Sequence, residues 1–455
     1  MIAIDDVDGI TGETVNEEER SKRARIKKIK TGFRCGGLVV LLALLVWSSL
    51  SGAVFKSIAF SSVGGLGIFL FGMQIMSHGL QKLAGKRLKQ FLETITSNPV
   101  SAVMVGAGVT AIIQSSSATT VMVIGFVNSG FMTLAQAIGV ILGANIGTTI
   151  TAQLIAFKIS AYALPAAGVG FFMSLFSKDR KWRETGQVLL GFGLLFLGLS
   201  IMKGALTPLK ESGAVKDVFM MFRNNPSLAV IAGAVMTMLL QSSSATIGLT
   251  MGMAGSGLIG FEIAVPFILG ENIGTTITAL LACIGTNVSA KRAALSHALF
   301  NIIGVVYVFI MLKLFCRLVD VVTPGVANDP ATIERHIANS HTLFNVVNTI
   351  IFLPFIKVFT RLTRKVIPGD EPVSQDPRWL DKRLLHTPFM AISATIKELH
   401  RMANLGRTML KDTFTALFKD DEESLAAVFE NEQAVDNLEH EITHYLVLIA
   451  EKDLS

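Results

Sequence analysis

The chain has 455 residues, 51% of them hydrophobic and only 16% charged, with 40 glycines and a positive mean hydropathy. That balance argues against a soluble enzyme and for a polytopic membrane protein. The formal charge of +6 could suggest nucleic acid, yet the basic residues cluster beside apolar runs. They read as topology signals, and no nucleic-acid partner is expected.

Residues 1–31 pass from an acidic part (Asp5, Asp6, Asp8, Glu13, Glu17, Glu18, Glu19) to a basic one (Arg20, Lys22, Arg23, Arg25, Lys27, Lys28, Lys30). This predicts a cytoplasmic N-terminal segment ahead of a first membrane span at 32–56, a retained anchor without a convincing cleavage site. Further runs near 58–80, 160–177, 184–204, 293–318 and 341–360 approach the ~20 residues that a bilayer crossing needs. Basic clusters at 81–90, 177–183, 289–292 and 361–365 are expected on the cytoplasmic side. Cys35, Cys283 and Cys316 each lie in an apolar run, far apart, and read as small core residues.

Beyond residue 365 the hydropathy collapses, and Pro368, Pro372 and Pro377 mark a linker, 363–386. Residues 387–455 then read as a cytoplasmic helical hairpin: Ile392, Ile396, Leu399, Met402, Leu405 and Met409 share one helical face. Leu425, Val428, Val435, Leu438, Ile442, Leu446 and Ile449 share another. Two helices bury little, so this hairpin must pack on something else, a second copy or a regulatory partner, or form the opening part of a longer bundle.

An internal repeat organises the region between. Asn98-Pro99 matches Asn225-Pro226, Gln114-Ser-Ser-Ser matches Gln241-Ser-Ser-Ser, and GANIGTTITA (143–152) matches GENIGTTITA (270–279), all offset by 127 residues. Upstream, GLGIFLFGMQIM (65–76) matches GFGLLFLGLSIM (191–202) at an offset of 126. The first glycine-rich helix ends in a basic cluster and the second begins after one, so the copies, 57–183 and 184–318, are predicted to be inverted in the membrane. An extracytoplasmic loop, 319–340, and a last span, 341–362, follow. Inverted repeats with polar interruptions at matching positions point to a secondary transporter with its site between them.

QSSS and NIGTT have the composition of such interruptions, tolerated in a bilayer only where they line an enclosed cavity. Gln114, Ser115, Ser116 and Ser117 with Gln241, Ser242, Ser243 and Ser244 can donate to an anion through hydroxyls, amides and free helix-end N–H groups. Asn145, Thr148, Thr149 and Thr151 with Asn272, Thr275, Thr276 and Thr278 offer oxygens to a small hard cation such as sodium. Glu271, at the position of Ala144, reads either as a sodium ligand or as a structural hydrogen-bond acceptor. Small-residue helix packing is the alternative for QSSS, but two motifs repeated at one spacing favour a site. The glycines at 65, 67, 72, 191, 193 and 198 are assigned to packing.

His297 in SHALFN (296–301) and His341 in SHTLFN (340–345) invite an intramembrane hydrolase reading. The doubled serine clusters and the lack of a G-x-S-x-G elbow argue against an enzyme. These histidines, with Asn301 and Asn345, are expected to bond to neighbouring helices instead.

The paired QSSS motifs with GANIGTT and GENIGTT resemble the type II sodium-phosphate cotransporter family over about 65–355. The resemblance implies an all-α inverted-repeat symporter of a bacterial inner membrane that takes up inorganic phosphate with sodium by alternating access. The QSSS residues would then contact phosphate, and Asn145, Thr148, Thr151, Glu271, Asn272, Thr275 and Thr278 sodium. The tail resembles the start of a PhoU-like domain, in which Glu432 and Asp436, four residues apart on one helix face, could share a metal ion. That resemblance keeps a second reading open: a membrane-anchored phosphate sensor acting through its tail.

Overall fold

The computed structural model describes residues 53–93, 98–157, 162–369, 377, 379–419 and 421–451. The expected N-terminal segment, most of the first span with Cys35, and residues 370–376 of the linker lie outside the described residues. From Ser57 onward the chain forms one compact unit. Among the described residues every regular element is helical.

The first repeat comprises α1 (Ala53–Glu93), α2 (Pro99–Ile113), α3 (Ser116–Asn128), α4 (Leu134–Ala156) and α5 (Ala163–Phe176). The second comprises α6 (Arg180–Leu206), α7 (Gly213–Asn224), α8 (Pro226–Leu240), α9 (Ser243–Gly255), α10 (Phe261–Ala282) and α11 (Val288–Ile310). Then come α12 (Leu312–Val322), α13 (Ile333–Phe352), α14 (Ile356–Val366), α15 (Pro388–Lys419) and α16 (Glu422–Ala450). Among the described residues, six helices are long and apolar enough to cross a membrane, and four shorter apolar ones, α2, α3, α5 and α8, accompany them.

The inversion is visible in one crossing. A methyl group placed on Gly72 would come within 2.6 Å of the Gly191 carbonyl oxygen, and one on Gly65 within 2.9 Å of the Gly198 oxygen. Gly65 and Gly72 are the repeat partners of Gly191 and Gly198, so α1 and α6 run antiparallel and cross reciprocally about a pseudo-two-fold axis. Gly193 does the same work against Ala163 and Ala167 of α5. Gly67 is different: nothing lies within 4 Å of its Cβ position, so it takes no part in the packing.

Each QSSS motif breaks a hairpin of two short helices. Gly139, Gly143 and Gly147 of α4 pack on Ala102, Val103 and Ala107 of α2, so α2 and α4 are parallel. Gly233, Gly270 and Gly274 repeat that arrangement between α8 and α10. The open end of the α2–α3 hairpin lies with Asn128 beside Asn287 and the tail, on the face that carries Arg292 and the residues around Gly369. The open end of the α8–α9 hairpin lies opposite, where Gly255 abuts Lys203 and Glu334. The two tips meet between the faces.

Several element bounds differ from the sequence reading. The run 293–318 is cut at Met311 into α11 and the short α12, because Lys313, Arg317 and Asp320 make the latter amphipathic. Residues 319–340, expected as a loop, contain the end of α12, a connection at 323–332 and the first turns of α13. The last span is α13, extended by a short 3₁₀ turn into the amphipathic α14.

The hairpin α15–α16 packs on the first repeat. Met390, Ala391, Ala394, Tyr445 and Ile449 share a core with Val123, Ile124 and Phe126 of α3. The expected stripe of Ile392, Ile396 and Leu399 is exposed, because the opposite side of α15 faces the membrane region. Asp381 fastens the junction: its carboxylate accepts from Asn128 Nδ2 at 2.6 Å and from Arg383 at 2.9 Å, and its carbonyl accepts from the Tyr445 hydroxyl at 2.6 Å. Burial, with the Asp381 charge nearby, pushes the Tyr445 phenol up, so it stays a donor. Charge-assisted bonds of this kind contribute roughly 1.5–3 kcal/mol each. Asp381→Ala should therefore speed hydrogen exchange over the first turns of α15 about tenfold or more; unchanged exchange would show that the clamp does not hold the tail.

Candidate functional site

The site begins with two residues in an unusual backbone conformation. Gln114 (φ 57°, ψ 27°) and Gln241 (φ 51°, ψ 28°) are the two non-glycine residues with positive φ among the described residues. The left-handed region costs a residue with a Cβ roughly 1–2 kcal/mol, so the surroundings must hold both in place. In each, the backbone N–H closes the preceding helix on Thr110 or Thr237. The next serine is extended and caps the following helix: Ser115 Oγ accepts from Ala118 N and Ser242 Oγ from Ala245 N, both at 3.2 Å.

That capping leaves a particular set of donors. The first amides of a helix have no intrahelical acceptor, and the cap serine takes only the third. The N–H groups of Ser116, Ser117, Ser243 and Ser244 therefore point out of the two helix ends, along the positive ends of the α3 and α9 dipoles. Paired threonines staple each hairpin behind the tip, Thr110 to Thr119 at 3.0 Å and Thr237 to Thr246 at 2.9 Å. These four threonines obey the same offset of 127, a signal that motif reading passed over.

Both tips face one cavity of about 170 Å³. All eight QSSS residues line it, together with Met73, Gln74, Ser77 and His78 of α1. None of those twelve is Lys or Arg. The α1 wall is tied to the first tip, since Ser77 Oγ donates to the Ile113 carbonyl at 2.6 Å and Gln81 Nε2 donates to Ser77 at 3.0 Å. These α1 residues were missed from sequence, although Gln74, Ser77 and His78 form a polar i, i+3, i+4 face on an otherwise apolar helix.

The oxygen-rich residues of α4 and α10 divide into two groups. Thr151 and Thr278 reach the tips: Thr151 donates to Gln114 Oε1 at 2.8 Å, and Thr278 lies 3.5 Å from Ser117 across the repeat interface. Asn145, Thr148, Glu271, Asn272 and Thr275 are buried further along, outside the cavity lining. There Thr148 and Thr275 bond back to the carbonyls of Ala144 and Glu271. Glu271 Oε2 lies 3.5 Å from His341 Nε2 and 3.4 Å from Asn272 Nδ2, while Asn145 Oδ1 lies 3.4 Å from His297 Nε2. Each histidine thus joins its helix to one repeat. The asparagines do not: Asn301 and Asn345 donate to the carbonyls of His297 and His341 in their own helices.

Glu432 and Asp436 are exposed on α16, and no cluster of three or more metal-ligating side chains forms among the described residues.

Two inverted repeats whose broken helices enclose a polar cavity define the architecture of a secondary transporter. The chain belongs to the Na+/Pi-cotransporter family, whose model matches residues 68–204 and 209–322. A PhoU domain model matches residues 399–455. The chain is similar to "Uncharacterized protein YqeW" of Bacillus subtilis, with 36% identity over 59% of this chain and 86% of that protein. It is also similar to "Putative inorganic phosphate export protein YjbB" of Escherichia coli, with 31% identity over 52% of this chain and 44% of that protein. A third relative is human "Sodium-dependent phosphate transport protein 2B", with 40% identity over 96 residues, 21% of this chain and 14% of that one. No solved structure matches.

Proposed function

We propose that the chain carries inorganic phosphate across the bilayer coupled to sodium, by alternating access around the cavity between the two QSSS tips. One observation carries this reading: two helix N-termini and eight duplicated polar residues converge on a cavity with no fixed cation in its lining. Helix ends and hydroxyls suit a dehydrated oxyanion, but they do not neutralise its charge. Co-bound sodium would supply the missing positive field, and Asn145, Thr148, Thr151, Glu271, Asn272, Thr275 and Thr278 offer the oxygens to hold it. The basic face is read as cytoplasmic, in a bacterial inner membrane, with the tail inside.

A symporter runs in the direction its gradients dictate, so a relative named for export and relatives named for sodium-dependent transport are compatible with one mechanism. The test is radiolabelled phosphate movement in proteoliposomes under an inward sodium gradient, with an equal potassium gradient as control. Uptake driven by sodium and at least tenfold slower with potassium is expected. Equal rates would remove the coupling, and no movement at all would favour a phosphate sensor acting through the tail packed on α3. Loosening the tail through Asp381→Ala should leave the carrier active in the first case and change signalling output in the second.

A further inference from the structure

A second cavity, of about 250 Å³, lies toward the face opposite the basic residues. Its walls are Ile155 and Phe157 at the end of α4, Phe196, Leu199, Ser200 and Lys203 of α6, Pro330, and Glu334 of α13. The repeat offset of 126 turns Leu199, Ser200 and Lys203 into Met73, Gln74 and Ser77. Those are three of the four α1 residues that line the cavity between the tips. The pseudo-two-fold axis at the α1–α6 crossing therefore carries the wall of one cavity onto the wall of the other. The inward wall offers neutral donors; the outward wall offers a lysine.

Lys203 is the one Lys or Arg among the residues lining either cavity. Its ammonium is paired with Glu334, but the two differ in access: the Lys203 side chain is 30% exposed and that of Glu334 only 8%. A lysine on a flexible stem can swing toward an incoming anion while Glu334 stays buried, at the cost of leaving that carboxylate unpaired. The pair also abuts the helix that carries the second tip. A methyl group on Gly255 would come within 2.9 Å of Lys203 Cε and would strike Glu334 Oε1. Gly255 ends α9, the helix whose first residue, Ser243, lines the central cavity.

Resting on the transport reading above, we propose that Lys203, with Ser200, forms an entry subsite for a tetrahedral oxyanion on the far face. Lys203 exchanges Glu334 for the anion before the anion passes to the QSSS tips. Charge in a low-dielectric vestibule raises the local concentration of its counter-ion, and the central site lacks such a charge of its own.

The test is phosphate uptake kinetics at saturating sodium, with phosphate added to the face read as outer. Lys203→Gln should raise KM about tenfold with kcat within about twofold, since the field captures substrate rather than completing transport. Lys203→Arg should keep the wild-type KM, and Glu334→Gln should leave it equal or lower by freeing the lysine. Should Lys203→Gln not fold, Ser200→Asp places a competing carboxylate one turn away and should raise KM likewise. An unchanged KM in Lys203→Gln or Ser200→Asp overturns the subsite. So does an equal KM rise in Lys203→Gln and Glu334→Gln, which would make the pair a strut between α6 and α13. Absence of sodium-driven uptake by the unaltered protein would instead sink the transport reading itself.

Discussion

Combining Ser116→Ala with Ser243→Ala should lower sodium-driven phosphate uptake at least a hundredfold, with each single variant losing roughly tenfold. The two hydroxyls occupy twin positions, first in α3 and first in α9, and both side chains are buried at the lining of one cavity. A hydrogen bond to a charged group is worth about 1.5–3 kcal/mol, so losing two at one site multiplies the defects. Neither serine is a helix cap, since Ser115 and Ser242 do that work. Both variants should therefore fold, and their thermal unfolding should match the unaltered protein within a few degrees. Uptake within threefold of the unaltered protein would move the phosphate away from the tips.

The repeat made much of this legible. Two copies of QSSS and NIGTT, 31 residues apart from Gln to Asn in each copy, located the two breaks that become the tips. What the sequence hid was the conformation of Gln114 and Gln241. Glycine or asparagine is the usual occupant of a left-handed helix end, and glutamine gives no such signal. The α1 wall was hidden for a different reason. Motif comparison rewards what two copies share, whereas Gln74, Ser77 and His78 face Ser200, Lys203 and Gly204 in the second copy. The difference between copies is where the two cavities acquire unlike chemistry.

Hydropathy averaged over a window also blurred two boundaries. Residues 293–318 stay apolar enough to read as one span, although polar residues every three or four positions turn α12 along a surface. In the tail, the apolar spacing on α15 identified a helix correctly, and Met402, Leu405 and Met409 of that face are half-buried, but the first turns bury the other side. Small residues, Ala391 and Ala394, let α15 approach the hairpin closely, while Ile392 and Ile396 stay exposed. Close approach selects small side chains, and a scale that weights bulk cannot see it.

The same logic gives the largest expected effect on assembly. Gly72→Val should abolish recovery of folded protein from detergent, whereas Gly67→Val should leave yield and uptake unchanged. Both glycines lie in one apolar stretch of α1, five residues apart, and composition does not separate them. At Gly72 even one methyl meets the Gly191 carbonyl oxygen at 2.6 Å, and that oxygen belongs to helix backbone that cannot swing aside. At Gly67 nothing lies within 4 Å. Overpacking a flexible core costs about 1–3 kcal/mol, and pressing on two backbones costs more. Because the crossing is reciprocal, Gly191 presses back on Gly72 and Gly198 on Gly65, so parting the helices at one point loosens both. The crossing also fixes where Gln74 and Ser77 stand against the first tip. A Gly72→Val protein recovered in good yield with normal uptake would mean that the pseudo-two-fold contact neither holds the repeats together nor sets the wall of the central cavity.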